Sequence, residues 1–264
     1  MSNTTEVESM DEMFKDPAPV IAAPESVIVE LQRGLLNPVT GQWQTTAEVR
    51  ELNGKDEEFL ASLEGNKNIT YAMYVGTLVS RATVRIGDTL VKNNKSVIEE
   101  LITGDRDTLL VAILRATYGP ERTFKYPCSA CKTSNDVTIN IEEDFPIQTT
   151  TFNLREPFNV TLKNGEVMKF KLPVGSDNIA MSKGESLAQQ STLLISRCVV
   201  WKEHKDSLYS EEWAKNLGLQ DRNAILSAIL GPKVGPKLGE VNTQCATCGA
   251  DIVINVDWVS LLLA

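Results

Sequence analysis

The sequence predicts an α+β fold made of two tandem copies of one unit, tied together by a four-cysteine, zinc-ribbon-like site. Each copy would run hairpin, helices, Cys-x-x-Cys turn, strand. Three observations predict this. First, Asp105-Arg106-Asp107-Thr-Leu-Leu-Val-Ala-Ile-Leu114 recurs as Asp221-Arg222-Asn223-Ala-Ile-Leu-Ser-Ala-Ile-Leu230, a displacement of 116 positions (Asp105 to Asp221). Second, the pairs Cys128/Cys131 and Cys245/Cys248 fall at nearly the same displacement, one pair in each half. Third, stretches alternating with period two and stretches of helical period interleave along the chain.

The flanking matches extend the repeat. Gly119-Pro120 falls on Gly235-Pro236, Asp136-Val-Thr-Ile-Asn-Ile-Glu142 on Asp251-Ile-Val-Ile-Asn-Val-Asp257, and Ser80-Arg81 on Ser196-Arg197. The expected units are residues 25–145 and 146–264, preceded by a flexible acidic arm and linker over residues 1–24. In that arm Met13-Phe14 is either a docking anchor or part of a solvated tail.

In chain order, Val27-Ile-Val-Glu-Leu31 is a strand by its β-branched content, with a return strand from Gly41-Gln-Trp43 to Leu52. Asn53-Gly-Lys-Asp56 turns into a short helix over Glu57–Leu63, stopped at Gly65. Val75, Leu78, Val79 and Ala82 mark a helix within Tyr71–Ala82, and Val84–Gly87 leaves it extended. Ser96-Val-Ile-Glu99 has capping-box form and opens a short helix ending near Gly104. Asp105 is the expected cap of a better helix, Asp107 to Thr117, with Leu110, Ile113 and Leu114 on one face. The first cysteine turn then follows a loop, and Val137–Ile141 leaves it as a strand. In the second unit Phe158–Leu162 and Val167–Leu172 flank Asn164-Gly165, a strong hairpin signal.

Composition bounds the function. With 264 residues, 42 % hydrophobic and 23 % charged, the chain can bury a real core. A net charge of -9 disfavours nucleic acid as the main partner, because phosphate neutralisation needs a basic surface. Aromatics interleaved with Arg or Lys form no stacking stripe. The longest apolar stretches are far too short to span a bilayer, and the polar, acidic start lacks the pattern of an export signal. A reducing compartment is therefore expected, where paired cysteines imply metal before disulfide.

Four thiolates from Cys128, Cys131, Cys245 and Cys248 fill a tetrahedral zinc sphere and leave no position for substrate, so the zinc is expected to be structural. The pairs precede strands rather than helices, unlike thioredoxin-type redox motifs. Two half-sites binding separate metals across subunits stay open as a variant. The amides of Ala130, Cys131, Thr247 and Gly249 are expected to face the sulfurs, and Gly249 suits a left-handed turn. The fifth cysteine, Cys198, is expected to be a small buried hydrophobe.

Catalytic residues are not expected. The single histidine, His204, lies in a charged stretch, and no phosphate loop, nucleophile elbow or His-Glu-x-x-His is present. The Gly/Pro-rich segment Gly231–Gly239, with its two lysines, is expected to be a plain loop into the second cysteine turn rather than a phosphate contact. Trp258–Ala264, apolar to its end, either packs on the core or offers a hydrophobic end to a partner.

Val49-Arg-Glu-Leu-Asn-Gly-Lys-Asp-Glu-Glu58, Leu109-Leu-Val-Ala-Ile-Leu-Arg-Ala-Thr-Tyr-Gly119 and the Cys128/Cys131 turn resemble segments of the T-even-type baseplate hub proteins of contractile phage tails. The resemblance covers mainly residues 27–145. It implies a structural or hub-assembly protein of the virion tail baseplate, present in the host cytoplasm during assembly. Such a protein acts through contacts with other tail proteins, here by way of residues 1–24 and the apolar C-terminus, with no membrane and with a homo-oligomer left open. A zinc-ribbon accessory factor acting near nucleic acid is the alternative.

Overall fold

The computed structural model describes residues 26–255 apart from 64, 65, 67, 68, 93, 204, 238 and 239. The acidic arm with Met13 and Phe14, the helix stop at Gly65, His204 and the apolar segment Trp258–Ala264 lie outside the described residues. No helix among the described residues is long and apolar enough to cross a membrane.

The first half opens with β1 (Ser26–Leu36) and β2 (Trp43–Arg50), antiparallel in the register Val27↔Val49 and Val29↔Ala47. This register puts Leu31, Ala47 and Val49 on the buried face. Helix α1 (Gly54–Ala61) starts three residues before the expected Glu57, because Asn53 caps it: its side chain accepts from the Lys55 and Asp56 N–H groups. Helix α2 (Tyr71–Ala82) is capped by Thr70 and buries Val75, Leu78, Val79 and Ala82, the predicted stripe. The chain continues through β3 (Thr83–Ile86) and β4 (Thr89–Leu90), which complete a sheet of order β1-β2-β3-β4. Helix α3 (Lys95–Glu99) starts one residue ahead of the expected Ser96, is capped by Asn94, and stops short of Gly104.

Helix α4 (Thr103–Tyr118) is the axis of this half and buries Leu109, Leu110, Ile113 and Leu114. Asp105 does not cap it. The helix begins earlier, and the Asp105 carboxylate instead accepts from the backbone N–H groups of Gln32 (2.6 Å), Arg33 (3.1 Å) and Gly34 (2.8 Å) in β1. Such a buried carboxylate replaces lost water with three amide donors.

A two-stranded ribbon follows, β5 (Glu121–Pro127) against β6 (Ser134–Asn140), and then the short β7 (Ile147–Gln148). The second half begins with β8 (Phe158–Thr161) and β9 (Val167–Phe170), whose turn has Gly165 at φ 85°. Helix α5 (Gly175–Met181), α6 (Leu187–Cys198), β10 (Val199–Val200), α7 (Ser207–Asn216) and α8 (Leu219–Leu230) come next. The short β11 (Gly235–Pro236) pairs with β7, and a second ribbon closes the described chain, β12 (Glu240–Gln244) against β13 (Asp251–Asn255). The sheet here has order β10-β9-β8.

Two main apolar clusters result. One gathers β1, β2, α2, α4 and β6, and takes in Val241 of β12; the other gathers β9, α6 and α8 around Phe170, Ile195 and Ile225. The halves also meet at backbone level. Gly175 N–H donates to the Leu101 carbonyl at 3.0 Å, and Ile102 bridges Val174. A Cβ on Gly104 would lie 2.2 Å from the Val234 carbonyl oxygen, and one on Gly235 (φ +86°) would lie 2.3 Å from that of Gly104. These glycines permit a close approach that no side chain could enter. Gly104→Ala and Gly235→Ala should each cost about 1–3 kcal/mol in denaturant unfolding. Gly54→Ala, where nothing lies within 4 Å, should stay within about 0.5 kcal/mol. Equal midpoints for all three would contradict this joint.

Candidate metal centre

Both cysteine pairs sit at ribbon tips, each between two strands. The sequence anticipated only the strand after each pair. In the first turn Cys128 N–H donates to the Thr133 carbonyl (2.9 Å) and Lys132 N–H to the Cys128 carbonyl (3.0 Å). In the second, Cys245 N–H donates to the Ala250 carbonyl (2.9 Å) and Gly249 N–H to the Cys245 carbonyl (2.9 Å). The residue after each second cysteine is left-handed, Lys132 at φ 64° and Gly249 at φ 72°. Glycine takes that conformation freely, whereas a lysine is strained by about 1–2 kcal/mol, so the first turn is held there by its surroundings.

The tips face each other. Cys128 Sγ lies 3.7 Å from Cys248 Sγ, and Cys131 Sγ lies 3.6 Å from Cys245 Sγ. All four sulfurs fall within 4.8 Å of one another. Disulfides would need about 2.05 Å. A tetrahedron with metal–sulfur bonds of ~2.3 Å has edges of ~3.8 Å, so the spacing suits one metal ion held by all four. Cys128 and Cys245 are buried, while Cys131 and Cys248 are exposed. Ala250, Ile252 and Ile254 pack behind the buried pair.

Asn135, which sequence reasoning missed, locks the tips together. Its Nδ2 donates to the Thr133 carbonyl (2.9 Å) while its Oδ1 accepts from Ala246 N–H in the other turn (3.0 Å). Only the contact, not the residue type or spacing, reveals this role. Of the amides expected at the sulfurs, that of Thr247 bears on Cys245, whereas that of Gly249 is taken by the turn.

These donors polarise the cluster unevenly. The N–H groups of Cys248 and Thr247 pull the Cys245 thiol down to about 6, and Thr133 lowers Cys131 through its hydroxyl and amide. The Ala250 amide favours a Cys248 thiolate, but the sulfurs of Cys131, Cys245 and Cys128 outweigh it and push that thiol up to about 12. A bound cation would share the charge of the four thiolates. Such a donor set selects a soft or borderline ion, and with four protein ligands it has no open coordination position.

The remaining candidates resolve simply. Cys198 is buried in the second cluster, its thiol pushed up to about 12 by burial, as expected of a core residue. The segment 231–237 is structural but not a plain loop throughout: Gly235–Pro236 pair as β11 with β7, and Lys237 N–H donates to the Pro146 carbonyl (3.0 Å) beside the Gly104–Gly235 approach.

A family model described as T4 bacteriophage base plate protein matches residues 41–261. No curated protein and no solved structure matches the chain.

Proposed function

The chain belongs to the family of T4 bacteriophage base plate proteins, and from that premise we propose that it is a structural or assembly subunit of a phage tail baseplate, in the hub region. It acts by protein–protein contact, in the virion tail and in the host cytoplasm during assembly. Its two halves, 25–145 and 146–264, are copies of one unit clamped by a single structural zinc on Cys128, Cys131, Cys245 and Cys248. The observation that carries this reading is the cluster itself, in which each half brings two of the four sulfurs.

Paired contacts support the duplication. The Val49↔Thr83 pair of the first half has its counterpart in Phe170↔Val199 of the second. Thr70 caps α2 by accepting from Met73 N–H, and Ser186 caps α6 by accepting from Gln189 N–H. Arg106 donates to the Ala72 carbonyl (3.2 Å) and Arg222 to the Ala188 carbonyl (3.1 Å). Asp105 accepts from the β1 backbone, and Asp221 from Lys163 N–H (2.7 Å) in the corresponding hairpin. Asp56 is held by Arg50 and Arg81, and Asp177 by Lys171 and Arg197. Each pair sits at matching positions of the two aligned halves.

The test is capture of cross-linked complexes from infected-cell lysate, with DNA and RNA binding measured across a salt series. Other tail proteins should be captured, and nucleic acid should bind weakly if at all, given the net charge of -9. Tight binding that falls steeply with salt would overturn the reading in favour of an accessory factor of nucleic acid.

A further inference from the structure

Resting on the duplicated reading above, we propose that the second half carries an unfilled socket for a second copy of this chain, and that its occupant is helix α1 of the neighbouring molecule. In the first half the equivalent socket is occupied. Helix α5, with the residues that lead into it, lies between α2, α3 and the start of α4. Gly175 N–H donates to the Leu101 carbonyl (3.0 Å), Asn178 donates to Thr103 Oγ1 (2.7 Å), and Ser182 donates to Thr70 Oγ1 (3.1 Å). Gly175 is packed so closely that a Cβ there would meet both Glu99 Cα and the Arg106 guanidinium at 2.9 Å.

Shifting the residues of this socket by the repeat displacement turns Glu99, Leu101, Thr103 and Arg106 into Lys215, Leu217, Leu219 and Arg222. Those four line an open groove of ≈ 590 Å³ between α6, α7 and α8. Leu219 stays 78 % exposed there and Leu187, at the start of α6, 82 %. A socket that one half fills in cis is thus left bare in the other.

The helix that corresponds to α5 is also bare. Helices α1 and α5 share an entry: an extended cap residue, Asn53 or Val174, then glycine, then an aspartate at the third helical position that accepts from the cap N–H. Yet α5 is largely covered, whereas Gly54, Lys55, Glu57, Glu58 and Phe59 of α1 are exposed. A Cβ on Gly54 would meet nothing within 4 Å, in contrast to Gly175. Charge leans the same way: with Lys215 paired to Glu211, the groove offers Lys183 and Arg222 against Glu185, while the exposed face of α1 offers Glu57 and Glu58 against Lys55. Socket and plug lie on different halves, so each contact joins unlike surfaces, and successive contacts close into a reciprocal pair or larger ring or run on as a filament.

Sedimentation velocity on the full metal-loaded chain tests this over a concentration series. The wild-type chain should self-associate as concentration rises. Gly54→Leu blocks the plug and Leu219→Glu blocks the socket; both sites are open to solvent, so each variant should keep the wild-type melting temperature and metal content yet remain monomeric. Mixed in equal amounts, the two variants should form dimers and stop there, because one retains a socket and the other a plug. Three outcomes overturn the proposal: a wild-type chain monomeric up to its solubility limit, a Gly54→Leu chain that associates like wild type, or a mixture that stays monomeric. A groove occupied only when another tail protein is added also overturns it. Metal content on the same samples separates the two readings: a monomer with one zinc per chain removes the docking but leaves the clamped, duplicated fold standing.

Discussion

Stripping the metal with a strong chelator at neutral pH is expected to lower the melting temperature by about 10 °C and to open both ribbons. An ion bound only by the native state, at a free concentration 1,000-fold above its dissociation constant, stabilises by about 4 kcal/mol. In a domain of this size each kcal/mol moves the midpoint by about 2–4 °C. The α6 core contains no ribbon residue and the α4 core is built mostly from β1, β2, α2 and α4, so the chain should remain folded while amides of 121–140 and 240–255 lose exchange protection. Cys128→Ser and Cys245→Ser should each reproduce the loss, because either leaves three sulfurs for a four-coordinate ion. Acid should act likewise, since protons compete for thiolates. Unchanged melting after chelation, with metal removal verified, would show that the ribbons hold without the ion.

Asp56→Asn is expected to cost about 2–4 kcal/mol, and Asp177→Asn less. Replacing one partner of a buried pair leaves the other charges uncompensated, at about 3–5 kcal/mol when all are buried. Asp56 is 1 % exposed and its partners Arg50 and Arg81 22 % and 19 %, so most of that cost applies. Lys171 and Arg197 are 42 % and 39 % exposed, and water relieves more of the loss around Asp177. The pH dependence has a definite sign. Burial works to raise the Asp56 pKa, but the Arg50 hydrogen bond and charge, the Asn53 amide and Arg81 more than offset it, so the folded value lies below the ordinary one. Its stabilisation is therefore complete above the unfolded carboxyl pKa of about 4 and lost as pH falls through the lower folded value. Unfolding curves of wild type and Asp56→Asn should converge in acid. A larger cost at Asp177 than at Asp56 would contradict the exposure argument.

Much of this was legible in the sequence where local chemistry decides structure. The stripe Val75, Leu78, Val79 and Ala82 specified α2, and the two Cys-x-x-Cys spacings marked both cysteine turns. Strands β5 and β12 were not legible, because β5 is mostly exposed and polar and gains its register only from β6 and the turn beyond it. Asp105 carried the signature of a helix cap, but its carboxylate serves β1, more than seventy residues upstream, and a helical window cannot register that bond. Arg106 and Arg222 stood out only as repeated letters; the helix-bracing bonds to Ala72 and Ala188 give the repetition a physical cause. Asn135 was invisible for the same reason, since its partner lies in the other ribbon.

Native mass spectrometry of the freshly reduced chain, with Cys131→Ser and Cys248→Ser beside it, bears most directly on the clamp. One zinc per wild-type chain and none in either variant is the expected result, because each half supplies only two of the four sulfurs. A metal-free wild-type chain, or a variant of one half that retains its zinc, would show that no shared ion joins the halves.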